Sequence, residues 1–106
     1  MVDLNPTEGA EIQKIRPAVV VSSDAIRALP LRLVVPITGW KPTFQGMFWK
    51  VKLRPTDGNG LTKDSAADTL QARGVDVLRF GQRMGQLSAT DMEEIVAALA
   101  AAIEYV

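Results

Sequence analysis

Arg16 is the residue of this sequence best suited to chemistry, because it places a permanent cation just before an apolar, β-branched run, Pro17 to Val21. Such runs usually become buried strands. A guanidinium can donate two parallel hydrogen bonds to an oxyanion and keeps its charge at every pH at which proteins fold. Arg16 therefore has two interpretations. It ends a strand and points to water, or it lies at the rim of a cleft and faces a negative group.

The chain contains no histidine and no cysteine. The lack of histidine removes the usual general acid or base near neutral pH and the commonest metal ligand. The lack of cysteine excludes disulfides and thiol catalysis. Serine–histidine triads and structural zinc sites are excluded as well. Any catalysis must therefore come from Asp, Glu, Arg, Lys, Tyr, Ser or Thr. No residue pattern indicates a cofactor.

The net charge of zero conceals a strong asymmetry along the chain. Residues 14–54 contain eight basic residues and a single acidic one, Asp24. All charged residues among residues 1–13 are acidic, and residues 55–106 contain four basic and eight acidic residues. Trp40, Phe44, Phe48 and Trp49 lie among these bases. A basic surface with aromatic side chains can hold phosphates and stack bases. The same residues can equally be polar strand faces, with the tryptophans in a core or at a subunit contact.

The 106 residues suit one domain. The sequence shows no apolar run long enough to cross a bilayer and no signal-peptide pattern at its start. We therefore expect a single soluble domain spanning residues 1–106, located in the cytoplasm and not in a membrane.

Short β-branched runs separated by turn residues predict a mainly β fold. The candidate strands are residues 2–4, 16–22, 31–38, 48–54 and 83–87, with a turn at 57–60 and an ambiguous stretch at 66–73. Pro36 lacks an N–H donor, so it should lie at a bulge or on a ladder edge.

A helix should close the chain. Ser88 can cap it, Asp91 follows in a capping-box arrangement, and Met92, Ile95, Val96, Leu99 and Ile103 recur at helical spacing. Several short strands followed by one helix predict a small barrel or curled antiparallel sheet with the helix packed on it.

Six short motifs follow one another in order. They are N-P-T-x-G-x-E (5–11), K-x-R-P-A-V-V-V-S (14–22), V-P-I-T (35–38), G-L (60–61), Q-x-R-x-V-D (71–76) and R-M-G-Q-L-S (83–88). Each motif alone is weak, but their order and spacing are specific. Together they resemble the MazF/PemK (Kid-like) family of toxin–antitoxin ribonucleases over nearly the whole chain.

The resemblance implies an SH3-like barrel of antiparallel strands that forms a homodimer, the MazF/PemK/CcdB-like toxin fold. It implies the toxin of a type II toxin–antitoxin system, which cuts single-stranded RNA at a short recognition sequence without a metal. The products would carry a 2′,3′-cyclic phosphate and a 5′-hydroxyl. It also implies a cognate antitoxin that covers the RNA groove with an acidic segment.

The same resemblance assigns roles to particular residues. The family's catalytic arginine corresponds to Arg16, its catalytic threonine to Thr38 and its acidic loop residue to Glu11. The Q-x-R motif places Gln71 and Arg73 near the RNA groove. Further candidates for RNA binding lie beside the two catalytic residues in the sequence: Lys14, Gly39, Trp40 and Lys41.

This sequence departs from the family pattern in three places. Relatives usually begin earlier, so we expect this chain to enter in the middle of the first strand. Relatives often have a polar residue where Gly39 stands and an aspartate where Leu70 stands. We expect the last two changes to alter sequence preference or weaken activity.

Cleavage by a ribose 2′-hydroxyl requires a base, stabilisation of the phosphorane and an acid. Arg16 suits the stabilising role, since one preorganised donor in a dry cleft can contribute ~3 kcal/mol. Thr38 can donate a hydrogen bond to the same phosphate. Glu11 is the best candidate base, although a loop carboxylate is a weak base near neutral pH. The path of the protons stays open.

Two other functions remain compatible with the sequence. One is a non-catalytic gyrase inhibitor on the same barrel, resembling CcdB, which needs no arginine–threonine pair. The other is a degenerate family member that binds RNA or antitoxin without cutting, which the short N-terminus, Gly39 and Leu70 keep open.

Overall fold

The computed structural model describes residues 2–3 and 15–103, and within them the chain forms seven short strands and one α-helix. The strands are β1 (Val2–Asp3), β2 (Ile15–Arg16), β3 (Ala18–Val20), β4 (Leu31–Gly39), β5 (Lys50–Leu53), β6 (Ser65–Asp68) and β7 (Arg73–Asp76), and the helix is α1 (Ala89–Ala102). Short 3-10 turns lie at Asp24–Ile26, Pro42–Phe44, Thr69–Gln71 and Val77–Arg79. Every strand pair among the described residues is antiparallel. This confirms the predicted mainly β fold with a C-terminal helix.

Strand β4 organises the sheet. Strand β3 pairs along one of its edges, while β7 and then β6 pair along the other, and β5 pairs with the far side of β6. Pro36 falls between the segments of β4 that pair with β7 and with β6. Its missing N–H therefore breaks no ladder bond at that edge, as the sequence predicts.

The ambiguous stretch at residues 66–73 forms neither one strand nor one helix. It forms β6, a 3-10 turn at Thr69–Gln71 and the start of β7. The turn is held on β5 because both the N–H and the hydroxyl of buried Thr69 donate to the Trp49 carbonyl, each at 2.9 Å. One stretch of chain can therefore pair with two successive parts of β4.

The main core lies on one face of the sheet, under the helix. It contains Val19, Val35, Ile37, Val51, Leu53, Ala67 and Ile95, the last from α1. Strands alternate their side chains between two faces, so the predicted burial of the whole run from Pro17 to Val21 is wrong. Val19 is buried, whereas Val20 is 40% exposed.

Two predicted strands differ from the observed ones. The predicted strand at 48–54 shortens to Lys50–Leu53, because Phe48 and Trp49 lie in a turn in which the Lys50 N–H donates to the Met47 carbonyl. The predicted strand at 83–87 is wrong. That segment is pinned against the turn at 57–60, where the Gln86 N–H donates to the Gly58 carbonyl at 2.8 Å. A Cβ at Gly85 would collide with that same carbonyl.

Helix α1 begins as the sequence predicts. The Ser88 hydroxyl accepts a hydrogen bond from the Asp91 N–H at 3.1 Å, and Asp91 adds a negative charge to the first turn. Ile95 is fully buried from the middle of the helix, while Val96 and Ile103 are exposed. No helix in the described part of the chain is long and apolar enough to cross a membrane.

Replacing Ser88 with alanine should lower the free energy of unfolding by about 1 kcal/mol, because one N–H of the first turn loses its acceptor. Chemical denaturation monitored by circular dichroism measures this. Ser88→Asp keeps an acceptor and should restore most of the loss. Equal stability of the alanine variant and the parent would contradict the capping role.

Candidate active site

The β3–β4 register, continued beyond its last pair, sets Arg16 of β2 opposite Thr38 of β4. Strand β3 pairs Ala18 with Pro36, and the Ile37 N–H continues this register by donating to the Pro17 carbonyl at 2.9 Å. One residue further, the same register sets Arg16 against Thr38. This is a non-hydrogen-bonded antiparallel position, where Cα atoms approach to about 4.5 Å and side chains share one face. Both residues are partly exposed.

The same register extends across two more strands. Thr38 pairs with Ala66 of β6, and Ala66 pairs with Lys52 of β5. Arg16, Thr38, Ala66 and Lys52 therefore form a row across the face opposite the main core, which we call the outer row. Ala66 contributes only a methyl group to the row and is fully buried. Within the outer row, the buried Ala66 separates Arg16 and Thr38 on one side from Lys52 on the other.

Aromatic rings border the outer row where β4 ends. Trp40 and Phe44 pack edge to face with ring centroids 5.7 Å apart. The Lys52 ammonium lies 5.0 Å from the centre of the Trp40 ring, and the Lys50 ammonium lies 4.3 Å from that of Phe44. Cations over aromatic faces attract the ring quadrupole, so both lysines are oriented by these rings.

A second row lies beside the outer row on the same face and contains an ion pair. Lys50 donates to Asp68 at 2.9 Å, and their side chains are only 14% and 15% exposed. The other oxygen of Asp68 accepts from the Leu70 N–H at 3.2 Å and caps the turn at Thr69–Gln71. The pair therefore fixes the turn that carries Gln71.

The RNA-binding residues predicted from the sequence are distributed unevenly around the outer row. Gly39 and Trp40 follow Thr38 directly, and the Trp40 N–H donates to the Asp64 carbonyl. Lys41 is exposed at the start of the next turn. Arg73 pairs with Val34, which puts it on the face of Thr38 but about 13 Å away along β4. Gln71 is exposed in the turn between β6 and β7, and the strand register does not bring it to the row.

Glu11 and Lys14 lie outside the described residues, so their predicted roles as base and RNA ligand stay predictions.

Gly39 has a neighbour that the sequence did not indicate. A Cβ at this position would lie 3.2 Å from the ammonium nitrogen of Lys63. The polar residue that relatives often carry here would therefore displace the Lys63 side chain. The glycine brings a cation from a distant turn close to the end of β4.

Sequence reasoning also missed Lys52, Lys50 and Asp68 as parts of the site. The alternation of apolar and basic residues from 48 to 54 predicts a wet strand face that includes both lysines. That pattern does not reveal that this face continues into the face of Arg16 and Thr38, because the connection runs through β6 and β4.

Replacing Asp68 with asparagine should lower the free energy of unfolding by about 1 kcal/mol, because Lys50 loses its counter-ion while the cap acceptor is kept. Urea denaturation measures the change. Asp24→Asn removes an aspartate from the exposed Arg27 pair, whose side chains are 73% and 91% exposed, and should change little. Equal effects of the two variants would contradict a special role for the Lys50–Asp68 pair.

The chemistry of these residues suits a negatively charged group. They offer a guanidinium, a hydroxyl and an ammonium on one face, with aromatic rings beside them. In the described part of the chain no three acidic residues lie together in a way that could hold a metal ion. The fold and the site thus define a small antiparallel β protein with cations, a hydroxyl and aromatic rings on one face.

Comparison with known proteins places the chain in a family. Residues 1–103 match the model of the PemK-like, MazF-like toxins of type II toxin–antitoxin systems. The chain is 33% identical to Endoribonuclease MazF9 of Mycobacterium tuberculosis (strain ATCC 25618 / H37Rv), over 92% of this chain and 86% of that protein. The chain therefore belongs to the PemK/MazF toxin family, as the motif order predicts.

Solved structures of MazF toxins share the fold. MazF-mt6 of Mycobacterium tuberculosis superimposes with a TM-score of 0.69 at 24% identity, over 82% of this chain and 84% of that one. A MazE–MazF crystal structure from Deinococcus radiodurans gives a TM-score of 0.75 at 21% identity, over 96% and 87%. This confirms the predicted MazF-like toxin fold.

Proposed function

We propose that the protein is an endoribonuclease toxin that cuts single-stranded RNA without a metal, by attack of the ribose 2′-hydroxyl on the adjacent phosphate. The products are a 2′,3′-cyclic phosphate and a 5′-hydroxyl. Family membership and the 33% identity to Endoribonuclease MazF9 support this assignment. The observation that carries the mechanism is the position of Arg16 opposite Thr38, on a face that also holds Lys52 and Trp40.

Arg16 stabilises the phosphorane, since its planar guanidinium can donate to two phosphate oxygens at once. Thr38 donates its hydroxyl hydrogen to a phosphate oxygen from the facing strand. In a site that excludes water, such fixed donors act without reorganising during the reaction. Glu11 takes the proton from the 2′-hydroxyl as the 2′-oxygen bonds to phosphorus. The bond from phosphorus to the 5′-oxygen then breaks, and that oxygen gains a proton from water. Lys14, Gly39, Trp40, Lys41, Gln71 and Arg73 bind the RNA on either side.

The proposal extends to partners. A cognate antitoxin covers the basic face with an acidic segment, in line with the MazE–MazF complexes solved from Deinococcus radiodurans. The chain acts as one toxin domain, pairs with a second copy and works in the cytoplasm, where messenger RNA is available.

One experiment tests the activity. Purified protein is incubated with a mixed-sequence single-stranded RNA in EDTA, and the ends of the products are mapped. We expect cyclic-phosphate ends at one short motif, lost in both Arg16→Ala and Thr38→Ala. Arg27→Ala is the matched control, because Arg27 is an exposed arginine paired with Asp24.

The other outcomes separate the alternatives. Intact RNA from a protein whose fold is verified would reject the nuclease. If such a protein still binds RNA or antitoxin, it is a degenerate family member. Growth arrest that depends on gyrase would instead support the CcdB-like inhibitor.

A further inference from the structure

Lys52 combines three features that no other described lysine combines. It belongs to the outer row, so it shares a face with Arg16 and Thr38. Its ammonium lies over Trp40, 5.0 Å from the ring centre. Its ion pair with Asp64 is long, at 3.8 Å, and the two side chains are 36% and 51% exposed. A pair of this kind is weak, so the ammonium can exchange Asp64 for another anion at little cost.

Lys50, on the same strand, is a cation that its ion pair keeps from binding a ligand. It lies two residues from Lys52 and faces the same way, but it donates to Asp68 at 2.9 Å, with both side chains mostly buried. If Lys50 left Asp68 to bind a ligand, the Asp68 carboxylate would be poorly solvated and without its counter-ion. Of the two cations that β5 directs to this face, Lys52 is therefore the one that can bind a ligand.

The separation of Lys52 from Thr38 fits an extended chain. Two strand spacings lie between them, about 10 Å, and the intervening residue is Ala66. Trp40 follows Thr38 by two residues, and its ring lies under the Lys52 ammonium.

We propose that Lys52 and Trp40 form a nucleotide subsite next to the phosphate that Arg16 and Thr38 hold. Lys52 binds the neighbouring phosphate of the single strand and Trp40 stacks on the base of that nucleotide. The subsite rests on the proposed function and explains how the protein holds the nucleotide next to the cleaved bond. On binding, the Lys52 ammonium moves from the Trp40 ring to the phosphate, which uncovers the ring for the base.

The test uses Lys52→Met, with Arg27→Met as the control that removes one exposed cation elsewhere. We expect Lys52→Met to raise KM about tenfold with little change in kcat, because the contact is to bound substrate away from the reacting atoms. The slope of log(kcat/KM) against log[salt] should become shallower by about 0.7, the value for one phosphate contact to a single strand. Arg27→Met should leave both quantities unchanged.

A double-mutant cycle tests the pairing with Trp40. Trp40→Ala should weaken binding of a single-stranded RNA, whereas Trp40→Phe should keep most of it, because a phenyl ring still stacks. Lys52→Met combined with Trp40→Ala should cost less than the two single effects together, since both residues serve one nucleotide. Fluorescence anisotropy measures this binding in the Thr38→Ala background, and thermal melts verify each fold.

Failure of this subsite can be distinguished from failure of the nuclease. If the parent cuts RNA and Lys52→Met keeps the parent's KM and salt slope, the subsite is wrong and the nuclease stands. If the parent binds RNA but does not cut it, a loss of binding in Lys52→Met still supports the subsite. Absence of any RNA binding by the folded parent would overturn the subsite together with the proposed function.

Discussion

Replacing Arg16 with alanine should lower kcat for RNA cleavage by about 10² to 10³, the loss found when one preorganised donor to a developing oxyanion is removed. The guanidinium lies at the end of β2, opposite Thr38, where the negative charge of the phosphorane would develop. KM should rise less than kcat falls, because stabilisation that is greatest in the transition state affects kcat most. Single-turnover kinetics on a short RNA with one cleavage site measures both.

Arg16→Lys is the informative companion. A lysine keeps the charge but cannot present two parallel donors to the phosphate, so it should recover only part of the rate. Arg27→Ala removes a solvent-exposed arginine and should leave kcat unchanged. An Arg16→Ala variant that is folded and cuts at the parental rate would show that Arg16 is merely a charge at a strand end.

The second large effect concerns the stability of the turn at 57–60. Replacing Asn59 with alanine should lower the free energy of unfolding by about 3 kcal/mol. Asn59 is 5% exposed, and its amide nitrogen donates to the Arg54 carbonyl at 2.8 Å. Its carbonyl oxygen accepts from the N–H groups of Thr56 and Leu61, at 3.1 and 3.0 Å. The alanine variant leaves all three backbone groups without this partner.

Two variants distinguish the loss of the three Asn59 hydrogen bonds from a general sensitivity of the turn to substitution. Asn59→Asp keeps the oxygen acceptor and loses the donor to Arg54, so it should fall between the parent and the alanine variant. Asp57→Ala changes an exposed residue of the same turn and should have little effect. Urea denaturation compares them, and a small effect of Asn59→Ala would show that water replaces the side chain.

The turn that Asn59 stabilises also holds a neighbouring segment of the chain in place. Gly60 adopts a positive φ of 73°, and a Cβ there would collide with the Met84 carbonyl. The turn therefore fixes the position of the segment at 81–88, which ends at Ser88, the N-cap of α1. Because α1 supplies Ile95 to the core under β4 and β5, the turn helps to hold the sheet that positions Arg16, Thr38 and Lys52.

The sequence by itself determined the features that repeat over short distances. Alternation and β-branching located β4 and β5, and a serine before a helical period located the start of α1. The lack of His and Cys narrowed the chemistry, and the order of six motifs identified the family. Each of these signals lies within neighbouring residues, where side-chain period and backbone preference act directly.

The tertiary structure alone decided which distant residues share a face. Lys52 and Arg16 are far apart in the sequence. They come into one row only through the pairing of β4 with β6 and of β6 with β5, and through the β3–β4 register continued to Arg16. The segment at 83–87 reads as a strand, yet contact with the turn at 57–60 keeps it irregular. Pairing register and docking depend on contacts between segments that no local pattern encodes, so the composition of the site emerges only when the chain is folded.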